Sequence, residues 1–260
     1  SVGASVKAVD VCPTDWNVSI AAARATVSHR TRAIVAVNSF GAPADVNGLR
    51  GLRVPLIEDF SHGGSVVDNA RFRSEADTGV VSFYASKLIG AGEGGAVLLR
   101  DGAAANRLRA WRDYADQGPD GRRLNEKMTD IEAALALCQL DRLQKMLRAR
   151  SDRADAYQRA LRPLAQMRRV LLPAAVAERA WYRYVIAVPG VPATRLVAAL
   201  RRRGVGAALP VDPWVGPGFP VADAAFDSLV SIPLYPTLSD DEQATVCAAL
   251  KSVIEEVRLD

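Results

Sequence analysis

Residues 81–99 read VSFYASKLIGAGEGGAVLL, and the order of elements in that stretch decides the fold. The apolar run Val80–Tyr84 has the length of a buried strand. It hands over to hydroxyl side chains, then to Lys87, then to the glycine-rich turn Gly90-Ala91-Gly92-Glu93-Gly94-Gly95. Gly90, Gly92 and Gly95 have the G-x-G-x-x-G spacing of a dinucleotide-binding turn, but that turn needs a helix opening on it so that the helix N-terminus meets a pyrophosphate. Here the strand-like run Ala96–Leu99 follows, and the dinucleotide reading is set aside. A lysine after a strand is ordinarily a surface charge; one enclosed by hydroxyls and glycines suits an amine that condenses with a carbonyl.

Toward the N-terminus, Val6–Val11, Ala33–Val37 and Val54–Ile57 read as further strands and Val18–Val27 as a helix, with a polar turn at Gly41–Asp45. Short buried strands separated by helices predict a mostly parallel α/β sheet covered on both faces. Toward the C-terminus, Thr129-Asp130-Ile131-Glu132 has the form of a capping box. The apolar spacing behind it (Ile131, Ala134, Leu135, Cys138, Leu143, Met146) predicts one long helix, or two joined at a kink, continuing to Leu161 before Pro163. Beyond Pro163 the pattern is that of a smaller α+β unit. It has a strand at Trp181–Val188, an amphipathic helix Pro192–Arg203 stopped by Gly204, and a Pro/Gly-rich loop Pro210–Pro220. A final helix, Asp240–Val257, starts at Ser239 with Glu242 three residues on. These patterns divide the chain into a large domain, residues 1–150, and a small C-terminal domain, residues 151–260.

The 260 residues, 49% hydrophobic and 24% charged, allow one large or two modest cores. The formal charge is +4, but arginines and acids interleave along helices, which describes a solvated face and not a nucleic-acid-binding patch. Cys12, Cys138 and Cys247 are far apart and lack CxxC spacing. Neither a disulfide framework nor a metal site follows, and each cysteine is expected to be a small buried hydrophobe. No apolar run approaches the roughly 20 residues of a membrane span, and with no signal-peptide pattern in the first residues a cytoplasmic location is expected.

A second constellation is Ile57-Glu58-Asp59-Phe60-Ser61-His62, where a strand runs into two carboxylates with a histidine three residues after the second. Strand ends of this kind face the ligand crevice of an α/β sheet. Acids at strand ends are also common in purely structural roles.

Five segments, in order, resemble the DegT/StrS-type sugar aminotransferases. They are TRAIVAVNSFGAPADV (31–46), IEDFSHG (57–63), SFYASKLIGAGEGGAV (82–97), LNEKMTDIEAALALCQL (124–140) and SIPLYPTLSDDE (231–242), which together span nearly the whole chain. The resemblance implies a fold-type-I, aspartate aminotransferase-like α/β large domain and a small α+β C-terminal domain, with pyridoxal 5'-phosphate (PLP) as cofactor. It implies amino transfer from an amino acid, typically glutamate, to a keto-sugar, often nucleotide-linked, or to a related cyclitol. By position, Lys87 matches the Schiff-base lysine, Asp59 the carboxylate paired with the pyridine nitrogen, His62 a Gln/His position near the cofactor's phenolic oxygen, and Ser82 a hydroxyl on its phosphate. Asn125 matches an asparagine that reaches the phosphate of a partner subunit's cofactor, which implies a homodimer, with a heterodimer as the alternative.

The family's chains begin well before the segment matched by Ser1. The resemblance implies a Gly-Thr/Ser phosphate turn and a ring-stacking aromatic there. Neither is found ahead of Thr31, and Trp16 sits in a different context. The large domain is therefore expected to be N-terminally incomplete: a fragment, one piece of a split protein, or a relative that has become a non-catalytic partner subunit. A PLP-dependent sugar dehydratase is a further alternative; in the known sugar dehydratases of this family a histidine replaces the lysine, so Lys87 favours amino transfer. Among other residues, His29 reads as a solvated loop histidine, Trp181 and Tyr182 as packing aromatics that could also face the site, and Trp214 as a lining of the substrate entrance. Arg201–Arg203 reads as positive charge closing a helix.

Overall fold

The protein is described by a computed structural model covering residues 3–63, 66–67, 71–72, 74–114, 125–213 and 218–256. In chain order it runs α1 (Ile20–Thr26), β1 (Ile34–Val37), α2 (Val46–Arg50), β2 (Leu56–Asp59), β3 (Val66–Val67), β4 (Arg71–Phe72), β5 (Thr78–Ser82), β6 (Gly95–Leu99), α3 (Gly102–Arg112), α4 (Asp130–Gln166), β7 (Tyr184–Ala187), α5 (Ala193–Arg202), α6 (Pro220–Ser228), β8 (Leu229–Ile232) and α7 (Asp240–Glu256). The main sheet has the order β1-β2-β5-β6, with β1-β2 and β2-β5 parallel and β5-β6 antiparallel. The remaining strands form two antiparallel pairs, β3-β4 and β7-β8.

Register decides which side chains share a face. Val37, Asp59, Val80 and Val97 lie side by side across the sheet, as do Ala36, Glu58, Gly79 and Leu98. Strand side chains alternate, so Ile34, Ala36, Leu56, Glu58 and Val81 share one face. That face is covered. Ile34, Ala36 and Leu56 pack with Ala23, Val46 and Leu49 from α1 and α2, and Val81 packs with Ala136 and Leu143 from α4. The opposite face carries Asp59 and Ser82, and on it Val35, Val37 and Val97 are exposed among the described residues.

α4 begins as its sequence predicts. Thr129 Oγ1 accepts from the Glu132 amide, and the Glu132 carboxylate accepts from the Thr129 amide. The helix then runs unbroken through Pro163 to Gln166. Proline at this point removes a single hydrogen bond in the last turn, and Leu161 and Leu164, both buried in the same core, hold the helix together across it. That core joins the end of α4 to β7, β8, α5 and α7 through Tyr157, Tyr184, Ile186, Leu196, Leu200, Val230, Leu250 and Ile254. At the end of α5, Gly204 takes φ +77°, while Arg201 and Arg203 donate to the carbonyls of Ala207 and Ala199. Positive charge therefore closes the helix, as read.

Several expectations are corrected. Val6–Val11 is not a strand: Val6 is 91% exposed, and Val11 makes only an isolated bridge to Val18. A short apolar-rich run is not enough without a neighbouring strand to receive its backbone groups. Cys138 is exposed, because it falls on the solvent side of α4, whereas Cys247 is buried and Cys12 is half-buried. α2, β3, β4, α3, α6 and β8 have no counterpart among the elements read from the sequence. β8 is wholly buried, so no polar-apolar alternation marks it. No helix among the described residues is long and apolar enough to cross a membrane.

Candidate active site

Asp59 ends β2, and its Oδ1 accepts from the backbone amide of Ser61 at 2.7 Å, which turns the chain out of the strand. Its neighbour Glu58 points to the covered face. There it is 4% exposed and accepts from Asn38 Nδ2 (3.0 Å) and Ser74 Oγ (2.6 Å). Of the two adjacent carboxylates, one is thus structural and one faces the open side. Ser82 ends β5 on the same side as Asp59, roughly 8 Å from it by ideal strand spacing. Its Oγ accepts from the Tyr84 amide at 3.2 Å.

The loop beyond β5 is fastened at several points. The Phe83 amide donates to Gly94 O (2.9 Å), the Ala91 amide to Phe83 O (2.8 Å) and the Ala85 amide to Gly92 O (2.8 Å), while Ile89 and Ala91 are buried. Lys87 sits in the turn so formed, its amide bonded to Tyr84 O at 2.9 Å. Its side chain reaches the ring of Tyr182, with Nζ 5.4 Å from the centroid.

The same ring stacks on His62 at 4.4 Å with an interplanar angle of 13°, and His62 in turn lies nearly parallel to Phe40 at 6.4 Å. Burial holds the His62 imidazole down to a pKa of about 4, helped by the charges of Lys87 and Arg183 and opposed by that of Asp59. Lys87, Arg183 and Asp59 therefore each lie within electrostatic reach of His62. His62 Nδ1 is buried without a hydrogen-bond partner. Asn125 lies apart: it is exposed, and its backbone forms an isolated bridge with Asp113.

Tyr182 reaches His62 because two glycines let its segment approach. Gly41 has φ +88° and accepts from the Ala180 amide at 2.8 Å; a Cβ there would lie 2.9 Å from the backbone nitrogens of Trp181 and Tyr182. Gly63 has φ +105°, and a Cβ there would lie 2.4 Å from Ala180 Cβ. Arg150, from α4, pins the segment by donating to the carbonyls of Trp181 (3.3 Å), Tyr182 (3.3 Å) and Leu234 (2.9 Å). Gly41→Ala is expected to destabilise the fold by about 2–4 kcal/mol, combining left-handed strain with a backbone clash. Denaturant unfolding measures this, and a loss under 0.5 kcal/mol, taken as roughly the noise of a surface substitution, would contradict the close approach.

Trp181 and Tyr182 divide the two roles open to them. Trp181 is buried in the core with Tyr184, whereas Tyr182 turns to the site. Phe40 and Arg183 belong to the same cluster and were not singled out from the sequence; only tertiary packing brings these segments together. His29 is exposed in a turn, and Trp214 lies outside the described residues.

The His62 environment has a pH consequence. The folded pKa lies below the unfolded value near 6.5, so the unfolded chain binds the extra proton between the two. The neutral imidazole's contribution to stability is complete above about pH 6.5 and is lost as pH falls toward about 4. His62→Gln should remove on the order of 2 kcal/mol of that acid sensitivity, allowing for partial exposure. Unfolding free energies of both proteins across this window measure it; parallel profiles would contradict the burial.

Comparison with known proteins gives a consistent result. A solved aminotransferase, TlmJ from Streptoalloteichus hindustanus, superposes with a TM-score of 0.85 at 24% identity, covering 96% of this chain and 73% of that one. A DegT/DnrJ/EryC1/StrS aminotransferase from Brucella abortus gives 0.80 at 25% identity over 94% of this chain and 72% of that one. A third structure, NtdA from Bacillus subtilis with its cofactor PMP bound, gives 0.82 at 21% identity over 96% and 62%. The family match itself extends over residues 1–251. With a fold-type-I architecture and a match over nearly its full length, the chain belongs to the DegT/DnrJ/EryC1/StrS aminotransferase family, whose members are PLP-dependent enzymes.

Proposed function

We propose that the protein transfers an amino group from an amino acid, glutamate in the first instance, to a keto-sugar that is often nucleotide-linked, or to a related cyclitol. The observation that carries this reading is the convergence of Lys87 and Asp59 on His62, whose buried Nδ1 lacks a partner. A buried, orphaned ring nitrogen calls for a bound group to satisfy it, and the phenolic oxygen of PLP has the right chemistry.

PLP supplies an electron sink when its pyridine nitrogen is protonated. In this reading the Asp59 carboxylate holds that proton, while the Ser61 amide on Oδ1 fixes the carboxylate's orientation. Lys87 Nζ would hold the cofactor through its aldehyde carbon, with loss of water, and its amine, when free, would hold or move a proton beside that carbon. The neutral His62 ring leaves Nδ1 to bond the phenolic oxygen, and the Ser82 hydroxyl binds a phosphate oxygen. Tyr182, stacked on His62, excludes water from one side.

The test is incubation with PLP, 15N-labelled L-glutamate and a panel of keto-sugar nucleotides and keto-cyclitols, read by mass spectrometry. The reading expects 2-oxoglutarate together with a 15N-labelled amino product. Absence of 2-oxoglutarate removes glutamate as donor; 2-oxoglutarate without any labelled product removes the acceptor class.

We read the assembly as a homodimer. Asn125 is exposed, and the first turns of α4 expose Ile131 and Leu135 one turn apart on one face. Such a stripe suits an interface that lets Asn125 reach a partner's cofactor phosphate. Ile131→Glu combined with Leu135→Glu should shift the sedimentation coefficient to that of a monomer; an unchanged dimer would place the interface elsewhere. We read residues 1–150 as the cofactor domain and 151–260 as a small domain, supported by the self-contained core of residues 154–254. A cytoplasmic location suits three free thiols, one of them exposed.

A further inference from the structure

Arg183 has no role in the chemistry just described, yet its guanidinium is held beside it. Its Cζ lies 5.4 Å from the Tyr182 centroid, the same distance as Lys87 Nζ, so the two cationic centres are no farther apart than twice that length. Its charge reaches His62, as do those of Lys87 and Asp59. Arg183 Nε is buried without a hydrogen-bond partner, and among the described residues no carboxylate pairs with this side chain. Arg179, four residues earlier, is also without a hydrogen-bond partner, but it lies over Trp181, not over the Tyr182 ring that Lys87 reaches, and feels the charge of Asp15.

A buried donor with no acceptor on a charged group is costly unless a ligand supplies one. The charge balance indicates what that ligand is. Around the neutral His62 ring act two cations, Lys87 and Arg183, and one anion, Asp59. Lys87 gives up its ammonium when its nitrogen is engaged in a covalent bond, and Asp59 is committed to the ring nitrogen, which leaves Arg183 as a fixed cation with nothing to neutralise it. A planar guanidinium braced on an aromatic face is matched to a carboxylate, which it can grip through two parallel hydrogen bonds.

We propose that Arg183 binds a carboxylate of the amino acid donor, with the donor's amino group directed to the place of Lys87 Nζ. This rests on the reading of Lys87 as the cofactor-bonding amine. A fixed guanidinium of this kind would select donors that carry a free carboxylate, such as glutamate, by charge and not by side-chain shape.

The experiment uses the PLP-loaded protein and its Arg183→Gln and Arg183→Lys variants. Single-turnover conversion by L-glutamate is followed by the change in cofactor absorbance, and binding of the unreactive dicarboxylate succinate is measured by calorimetry. Loss of a charge-assisted hydrogen bond predicts that Arg183→Gln weakens the apparent affinity for both ligands by about 10- to 100-fold, with a smaller change in the limiting rate. Arg183→Lys should recover part of the loss. Glutamate and succinate affinities within twofold of wild type in Arg183→Gln overturn the proposal. So does a variant that loses affinity for inorganic phosphate but not for succinate, which would make Arg183 a phosphate contact. Absence of a cofactor band in the wild type overturns the Lys87 reading alone. Succinate calorimetry on the protein without PLP then still ranks Arg183, and equal binding, or none, by wild type and variant overturns the carboxylate assignment.

Discussion

Lys87→Ala is expected to abolish the visible absorbance band that forms when PLP is added, and to lower the rate of amino transfer by at least about 10⁴-fold. The substitution removes both the covalent anchor and the general base, each of which alone accounts for orders of magnitude. Lys87→Arg separates charge from chemistry. A guanidinium keeps the positive charge near the Tyr182 ring but cannot bond the aldehyde, so it should be equally inactive. The two variants should differ at His62. The Lys87 charge is one of the causes that lower its pKa, so the His62 titration followed by NMR should move up in Lys87→Ala and stay in place in Lys87→Arg. A band of unchanged position and intensity in Lys87→Ala would sink the assignment.

Asp59→Asn should cost about 10³-fold in kcat/KM, corresponding to the 3–5 kcal/mol expected when one partner of a buried charge pair is removed. Asparagine retains an Oδ1 that accepts from the Ser61 amide, so the turn out of β2 should survive and the variant should fold. The loss would then report on charge at the ring nitrogen and not on unfolding. Because the Asp59 charge opposes the lowering of the His62 pKa, the variant's histidine should titrate still lower. Glu58→Gln gives the contrast: Glu58 lies on the covered face between Asn38 and Ser74, and its loss should appear in stability before it appears in turnover. Activity of Asp59→Asn within tenfold of wild type would remove Asp59 from the proposed chemistry.

The pair Glu58-Asp59 shows what can be read from a sequence and where reading stops. That a strand ends in two carboxylates is visible in the residues, and strand periodicity requires them to face opposite sides. Which of them faces the helices depends on register with β1 and β5, a non-local property. The strand at Val6–Val11 failed for a related reason: its apolar content is local, but a strand exists only where another strand accepts its backbone bonds. The thiol of Cys138 was misplaced because α4 is amphipathic over a long span, and which stripe is covered changes along its length.

The residues alone determined the order of elements around Lys87, the capped start of α4, and the motifs that identify the family, because each depends on neighbours a few positions apart. Tertiary structure decided the rest. Tyr182, about a hundred residues beyond Lys87, meets it only because Gly41 and Gly63 admit its segment and Arg150 pins it. Contacts between distant segments depend on close packing of whole elements, and no local pattern encodes which two side chains that packing will bring face to face.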